Sequence, residues 1–541
     1  MNISVKQISS LEKIRSAADL GHEVSHARLL RGERYSYQVV LVSDRPGCVR
    51  VEAVSPLKDW VRLYMVRDTV MDYPQNQDNC DGDYLTDRPG LMPDLLEPLG
   101  PREGRQMIAQ GLNTFWVTVE IPADFDAGEW ELVLRFLAEG DCAAEAVMAF
   151  EVLSRDLPAQ ELLFTQWFHV DCIASYHGVE IYSEAHWSLI DRYMCLAGQL
   201  GMNMILTPVI TPPLDTEFGA CRPNTQLAGI RKRGEQYVFD FSRLARWLEL
   251  CRKNGIEYFE ISHLYSQWGA DYAPNIFVME NGAERHLFGW HVKADDPMYE
   301  AFLRQFLPAL LDFLKQAGVA GKCFFHISDE PSGAHLENYR RAYRVVKPLL
   351  GESHMMDALS HYGFYREGLV ENPVCAVDAI GPFLENGAEN LWVYYCCAQG
   401  KLVSNRFLAI PSCRNRILGL QMYKYGIKGF LHWGYNFYYS QLSRYEVDPY
   451  TTSSADRAFP SGDPFSVYPH KDGPRKSVRA EVFFEALQDM QVCRALEAVI
   501  GRPAVVEMID REAGMALTFV DYPRNSGFIP TLMEKMKQML K

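Results

Sequence analysis

The sequence predicts a multidomain chain: an N-terminal β-sandwich over residues 1–158, a (β/α)₈ TIM barrel over 159–500 and a short helical C-terminal tail over 501–541. Three observations carry this prediction. Short β-branched and aromatic runs, broken by Pro and Gly, fill the first part. From about residue 160, eight apolar strand-like runs alternate with stretches of helical periodicity. Gly201, Gly255, Gly318 and Gly351 fall just past the helical stretches, where helices stop.

In the first part, Tyr35–Val42 (YSYQVVLV), Cys48–Val54, Val61–Val66, Asn113–Ile121 (NTFWVTVEI), Trp130–Phe136 and Ala146–Leu153 read as strands. No titratable cluster stands out among them, so this region is expected to be an accessory or scaffold domain. The predicted barrel strands are 164–171, 202–208, 258–264, 323–330, 354–359, 376–382, 390–396 and 429–436, with helices expected over 184–200, 241–254, 297–317, 335–350 and 406–425. Near-continuous apolar runs are what parallel strands buried on both faces require. Eight β/α units in roughly 280 residues fit a barrel. A doubly wound open sheet is the competitor, but no G-x-G-x-x-G or Walker motif follows any of these strands. Thr451–Gly473, rich in Ser, Pro, Asp and Gly, reads as a long loop after the eighth strand, the kind that covers a site. A closing helix over 477–499 and a terminal one over 530–541 complete the prediction.

The chain has 541 residues, 48% of them hydrophobic and 23% charged, with a net charge of −15. That acidity argues against a nucleic-acid partner or an anionic membrane surface. No apolar run approaches a membrane span, and Met1–Gln7 lacks a secretory pattern. The 13 cysteines show no C-x-x-C spacing, which fits a reducing, cytoplasmic setting.

In a barrel the active site lies at the carboxyl ends of the strands. Polar residues collect there: His169 and Asp171, Glu260 and His263, Ser328–Glu330, Asp357, Asp378, Tyr394 and Tyr395, and His432–Asn436. The sharpest feature is Asp329-Glu330-Pro331. Two successive carboxylates ending a buried strand are costly unless each has a task or a partner. Pro331 is expected to hold Glu330 extended, and close like charges raise one pKa of the pair. A carboxyl kept protonated near neutrality is what a general acid needs to protonate a glycosidic oxygen. The structural alternative is a helix cap or ion pairs with Arg340 or Arg341.

Two-carboxylate glycosidases need a second carboxylate across the sugar, about 5–5.5 Å away for retention or 6.5–9.5 Å for inversion. The seventh and eighth strands, NLWVYYC and GFLHWGYN, contain none. An adjacent Asp suits instead a substrate whose own 2-acetamido oxygen attacks the anomeric carbon, with Asp329 polarising the acetamido group and Glu330 acting as acid, then base. Aromatic residues around the last two strands, among them Trp392, Tyr394, Tyr395, Trp433 and Tyr435, would stack on sugar faces, and Asn436 would bond sugar substituents.

The order Ser-Asp-Glu-Pro (328–331), LWVYYCC (391–397), RILGLQMYKYGIKGFLHWGYN (416–436) and SGDPFSVYP (461–469) resembles glycoside hydrolase family 123 and the wider group sharing its catalytic domain. The resemblance covers about residues 160–500. It implies a retaining β-N-acetylgalactosaminidase working by the acetamido-assisted route, with the family's acid pair on Asp329 and Glu330 and its sugar-site aromatics on Tyr395, Trp433 and Tyr435. The sequence departs from the family pattern at Gly462-Asp463-Pro464, where Asp463 is either a hydroxyl ligand or a turn former. The substrate-binding set is therefore His169, Asp171, Glu260, Tyr394, Tyr395, Trp433, Tyr435, Asn436 and Asp463, with a carbohydrate as partner and no metal or cofactor. Three rivals stand beside this. A metal-dependent hydrolase would draw ligands from His169, Asp171, His263, His326, Asp357 and His432. A hydrolase of sugars without the acetamido group would use Glu260, Asp357 or Asp378 as nucleophile. A non-catalytic carbohydrate-binding barrel is the third.

Overall fold

A computed structural model describes residues 1–21, 23–99 and 105–541. The N-terminal part is a sandwich of two five-stranded sheets. One runs, in hydrogen-bonded order, Ile3–Ser9, Arg34–Ser43, Gly111–Glu120, Val61–Met71, Gly90–Pro98. The other runs His26–Arg31, Asp141–Asp156, Gly128–Ala138, Gly47–Val54, Arg105–Ile108. Alternate residues of each inner face fill the core: Tyr37, Val39 and Leu41 from one sheet meet Leu132, Leu134 and Phe136 from the other. The four strands absent from the sequence prediction, beginning at Ile3, His26, Gly90 and Arg105, are the four sheet edges.

The second part is an eight-stranded parallel barrel. Its strands are Leu163–Gln166, Met204–Thr207, Tyr258–Ile261, Cys323–Phe325, His354–Ala358, Asn372–Ala376, Trp392–Tyr394 and Gly429–His432. From the second strand to the eighth, consecutive strands pair in order, and the eighth pairs with the first. Between the first and second strands Asn203 replaces the ladder: its Oδ1 accepts from the Phe164 N–H at 2.8 Å and its Nδ2 donates to the Leu162 carbonyl at 3.0 Å. Inward-facing residues of successive strands, including Met204, Leu206, Phe324, Met356, Val374, Trp392 and Leu431, form their own packed cluster inside the ring. Among the described residues, no helix is long and apolar enough to cross a membrane.

Three predicted features shift. The sixth strand starts at Asn372 and ends at Ala376, where the sequence reading began it; Pro373 sits inside the strand and opposes Asp357. The region expected to be helical over 406–425 becomes two helices, Ser412–Arg416 and Leu418–Tyr425. Residues 229–240 and 276–288 add an unpredicted four-stranded sheet to the loops after the second and third barrel strands.

The closing helix, Val478–Ile500, is wedged between barrel and sandwich, so charged residues on it are buried and paired. Arg479 reaches Asp94 of the sandwich edge strand, Nη2 to Oδ2 at 2.9 Å and Nε at 3.0 Å, while the Tyr468 hydroxyl donates to the same carboxylate at 2.7 Å. Asp94 is fully buried, so removing it strands a guanidinium between the two parts. Asp94→Ala is expected to cost about 3–5 kcal/mol in denaturant unfolding; a loss below about 1 kcal/mol would show that the pair does not clamp them.

Candidate active site

A cavity opens at the carboxyl ends of the barrel strands. It is lined by Trp167, His169, Leu214, Asp215, Trp268, Asp329, Glu330, Ala358, Tyr394, Cys396, Cys397, Leu431, Trp433 and Phe459. In an extended strand the side chains of neighbours point opposite ways, yet Asp329 and Glu330 both face this cavity. The backbone explains it: Glu330 is not extended, as Pro331 led us to expect, but lies at φ +40°. That left-handed residue folds the chain over in the loop after the Cys323–Phe325 strand. Its N–H donates to the Ala358 carbonyl at 3.1 Å, and the Asp329 carbonyl accepts from the Trp268 N–H at 2.8 Å. Positive φ in a non-glycine residue is strained and persists only where surrounding bonds impose it.

The two carboxyls differ in setting. Asp329 is 9% exposed, whereas Glu330 is open to solvent through the cavity mouth. Burial first, then the neighbouring Glu330 charge, holds Asp329 well above the ordinary carboxylate range, while the cationic His326 pulls it down. Glu330 is raised too, by the protein packed around it and by Asp378, against the hydrogen bond from Tyr394. The Tyr394 hydroxyl donates to Glu330 Oε1 at 2.6 Å. Neither Arg340 nor Arg341 touches the pair: Arg340 is bound by Glu337 and Glu367, and Arg341 lies beside Asp295 and Asn338.

Beneath the pair lies a buried ionic chain. His326 Nε2 is 2.9 Å from Glu260 Oε1, and Nδ1 is 2.9 Å from Asp357 Oδ1. Trp167 Nε1 (2.6 Å) and Thr165 Oγ1 (2.8 Å) also donate to Glu260, and the Ile327 N–H (3.1 Å) and the Tyr339 hydroxyl donate to Asp357. Burial works against a charged imidazole, but its bonds to Asp357 and Glu260 raise the His326 pKa to about 9. Glu260, expected to touch sugar, is instead fully buried behind Trp167. His263 stacks on His326 with centroids 4.2 Å apart, and burial and the His326 charge keep it neutral. His263, His326 and Asp357 are close enough together for a metal. However, both His326 nitrogens face carboxylates and have no lone pair left for an ion, so the trio fits a protonated imidazole better.

The remaining expected sugar ligands separate into two groups. His169, Tyr394 and Trp433 line the cavity. His169 is neutral, its pKa lowered to about 3 by burial and by Arg222; Arg222 donates to Nδ1 at 3.1 Å, so Nε2–H donates to the Trp433 carbonyl at 3.0 Å. Trp433 is held on its polar edge by Asp463, Nε1 to Oδ2 at 2.9 Å, and on its sides by Phe437 and Phe459. Asp463 is fully buried, and burial raises it to about 7; it positions Trp433 rather than meeting a hydroxyl.

The others are corrected. Asp171 lies inside helix Val170–His177, clamped by Arg222 at 2.7 and 2.8 Å. Asn436 is spent on the His169 backbone, accepting its N–H at 2.9 Å and donating to its carbonyl at 3.0 Å. Tyr395 and Tyr435 face outward into the helix layer: the hydroxyl of Tyr395 donates to Asn415 at 3.2 Å, and that of Tyr435 to the Tyr193 carbonyl at 3.0 Å. Strand alternation puts Tyr394 inside and therefore Tyr395 outside. Several lining residues fall outside the sequence reading, among them Asp215 and Trp268; each of these two follows a barrel strand in a loop, which is the available signal.

The barrel and the aromatic cavity at its carboxyl end define the class, a barrel glycoside hydrolase. Residues 167–496 match the glycoside hydrolase 123 catalytic domain, and the chain belongs to that family. A family 123 glycoside hydrolase from Clostridium perfringens, solved to detail glycolipid glycan hydrolysis, superposes with TM-score 0.72 at 13% identity over 100% of this chain and 97% of that one. A Bacteroides ovatus family 5 xyloglucanase aligns at 9% identity over 90% of this chain and 100% of that one, but its TM-score of 0.32 is too low to carry a shared fold. No curated protein sequence matches.

The ionic chain generates a stability prediction. Raised from about 6.5 to about 9, His326 contributes stability fully present below pH 6.5 and lost as pH rises through 9. At neutral pH, His326→Gln should cost about 3–5 kcal/mol, since it leaves two buried carboxylates without their cation. Denaturant titrations should show this difference narrowing above pH 9; a gap that widens there contradicts the assignment.

Proposed function

We propose that this protein removes a β-linked N-acetylhexosamine, N-acetylgalactosamine by family resemblance, through a retaining, 2-acetamido-assisted mechanism. The supporting observation is the pair of adjacent carboxyls folded into one cavity by the left-handed Glu330. In this reading the sugar stacks on Trp433 and its acetamido N–H meets the deeper Asp329. As the acetamido oxygen attacks the anomeric carbon, Glu330 delivers its proton to the glycosidic oxygen and the leaving group departs. Glu330, now ionised, takes a proton from the water that opens the cyclic intermediate, and two inversions give retention. His326 sits where its positive charge supports an ionised Asp329 once the acetamido N–H arrives.

Asp215 supports a second reading. Burial raises this cavity carboxyl to about 6, against the Leu442 N–H bond, and it would serve as the second carboxylate for sugars lacking the acetamido group. Glu260 and Asp357 are tied to His326 and do not line the cavity.

Aryl β-glycosides with and without the acetamido group separate the two readings. Asp329→Asn and Glu330→Gln should each lower kcat on N-acetylhexosaminides by about 10²–10⁴-fold, and an activated leaving group should partly spare only Glu330→Gln. Equal hydrolysis of both glycoside types, with dependence on Asp215, would transfer the role to the second reading.

The pH dependence follows from the shared proton. The reaction needs one proton on the Asp329–Glu330 pair, so activity falls on the acid side when both are protonated and on the alkaline side when both are ionised. Because both are shifted upward, kcat/KM should be bell-shaped, with its acid limb above the usual carboxylate range of about 4. An acid limb at ordinary carboxylate pH contradicts this.

A further inference from the structure

Two thiols that the proposed reaction does not use stand side by side in the cavity wall. Cys396 and Cys397 both line it, together with Tyr394, Glu330 and Trp433. Among the described residues, the other cysteines lie outside this lining. Strand alternation accounts for Cys396, which follows Trp392 and Tyr394 to the inner face of the ring. The same alternation would send Cys397 outward into the helix layer, as it does Tyr395. A turn prevents this: the Gln399 N–H donates to the Cys396 carbonyl at 3.1 Å, and both side chains emerge into the cavity. Gln399 Oε1 fixes the turn by accepting from the Cys396 N–H at 2.9 Å and from its thiol at 3.2 Å. Asn405 adds bonds to the Cys396 and Gln399 carbonyls at 3.0 and 2.9 Å.

The two thiols are in hydrogen-bonding contact, and that contact, with burial, holds the Cys396 thiol well above the ordinary thiol range. Cys396 is buried, whereas Cys397 is half-buried and is the sulfur that a reagent reaches. Adjacent sulfurs have a chemistry that a single thiol lacks. Neighbouring Cα atoms are about 3.8 Å apart, closer than the roughly 4.4–6.8 Å of ordinary disulfides, so a bond between these sulfurs forms under strain. Strained disulfides are the easily reduced ones, which makes such a bond reversible.

We infer that Cys396 and Cys397 form a reversible dithiol–disulfide modification site in the cavity wall, and that its oxidation by a low-molecular-weight disulfide shuts the cavity to sugars. The Cys397 thiolate attacks the reagent RSSR, forming a mixed disulfide and expelling RS⁻, which takes the proton that Cys397 gave up. The Cys396 sulfur then attacks the Cys397 sulfur, and its proton leaves with the second RS⁻. Two protein thiols are oxidised and one RSSR is reduced to two RSH; excess RSH runs both exchanges backwards. The mixed disulfide occupies the wall beside Trp433. Ring closure takes the Cys396 thiol from Gln399 and deforms the turn just beyond Tyr394, the donor to Glu330 at 2.6 Å.

The thiol chemistry stands apart from the proposed reaction, whereas the loss of activity rests on it, so both are measured. The full chain is freed of its other accessible thiols by Cys48→Ser, Cys80→Ser, Cys142→Ser, Cys195→Ser and Cys221→Ser. It is then treated with hydroxyethyl disulfide and mapped by mass spectrometry. The peptide holding residues 396–397 should lose two hydrogens and regain them in dithiothreitol. Hydrolysis of an aryl N-acetylhexosaminide should fall by about tenfold to a hundredfold, the scale of a misplaced reacting group, and recover on reduction. Further variants are each compared with their own untreated activity. Cys396→Ser should keep the hydroxyethyl adduct on Cys397 without closing the ring, and Cys397→Ser should lose both adduct and inhibition. An untouched 396–397 peptide, inhibition that survives in Cys397→Ser, or full activity with the pair oxidised overturns the inference. Oxidation of the pair in a parent that hydrolyses no glycoside upholds the thiol site and refutes the reaction instead.

Discussion

The site depends on one backbone constraint: a left-handed residue wedged between Asp329 and Pro331. A strand that simply continued would send one carboxyl into the barrel and the other into the helix layer, because side chains alternate. Placing Glu330 at φ +40°, in the loop after the Cys323–Phe325 strand, replaces that alternation with a turn, so two successive acids share a cavity. Such strain survives because both sides are pinned, Glu330 N–H to Ala358 and the Asp329 carbonyl to Trp268. These bonds join the loops after the third and fourth strands to the end of the fifth, so the geometry of the acid pair and the position of the rim indole are set together.

Two crowded carboxyls create an electrostatic problem that the layer beneath addresses. Burial raises both, and the Glu330 charge raises Asp329 further. In the Glu260–His326–Asp357 chain each carboxylate oxygen has a donor, and of its charges His326 pulls Asp329 down while Asp357 pushes it up. His263, stacked on His326 and neutral, adds bulk but no charge.

The sequence made the barrel legible through its apolar strands and the Gly stops after its helices. What it hid has physical causes. The four missed sandwich strands are sheet edges, which bury less and carry polar residues, so alternation is faint. The sixth barrel strand was misplaced because Pro373 lies inside it, where proline usually argues against a central strand. At the site, Asp-Glu-Pro stood out by itself, but the sugar-ligand set did not sort correctly. Tyr394 and Tyr395, like Trp433 and Tyr435, are chemically similar neighbours, and only the register of the ring tells which of them enter the cavity. Asp171 and Asn436 lie beyond the first and eighth strands, Asp171 inside a helix, and Arg222 and the His169 backbone occupy them. Charged partners distant in sequence leave no local signature.

The loop at Thr451–Gly473 shows how the two parts of the chain cooperate. It brings Phe459 to the cavity wall and Asp463 behind Trp433. Its own anchor is in the sandwich, where Asp72 accepts from the Ser453 N–H at 3.1 Å and from the Thr452 hydroxyl at 2.6 Å, and the Tyr73 carbonyl accepts from the Ser461 N–H at 2.7 Å. A loop of that length would lose much conformational entropy if it were ordered by the barrel alone. Fixing it on the rigid sandwich supplies the order, and with it the orientation of the indole against which a sugar would stack. Among the described residues, the N-terminal domain therefore reaches the site through Trp433 without lining the cavity, and its attachment to the closing helix through Asp94 and Arg479 is part of the same support.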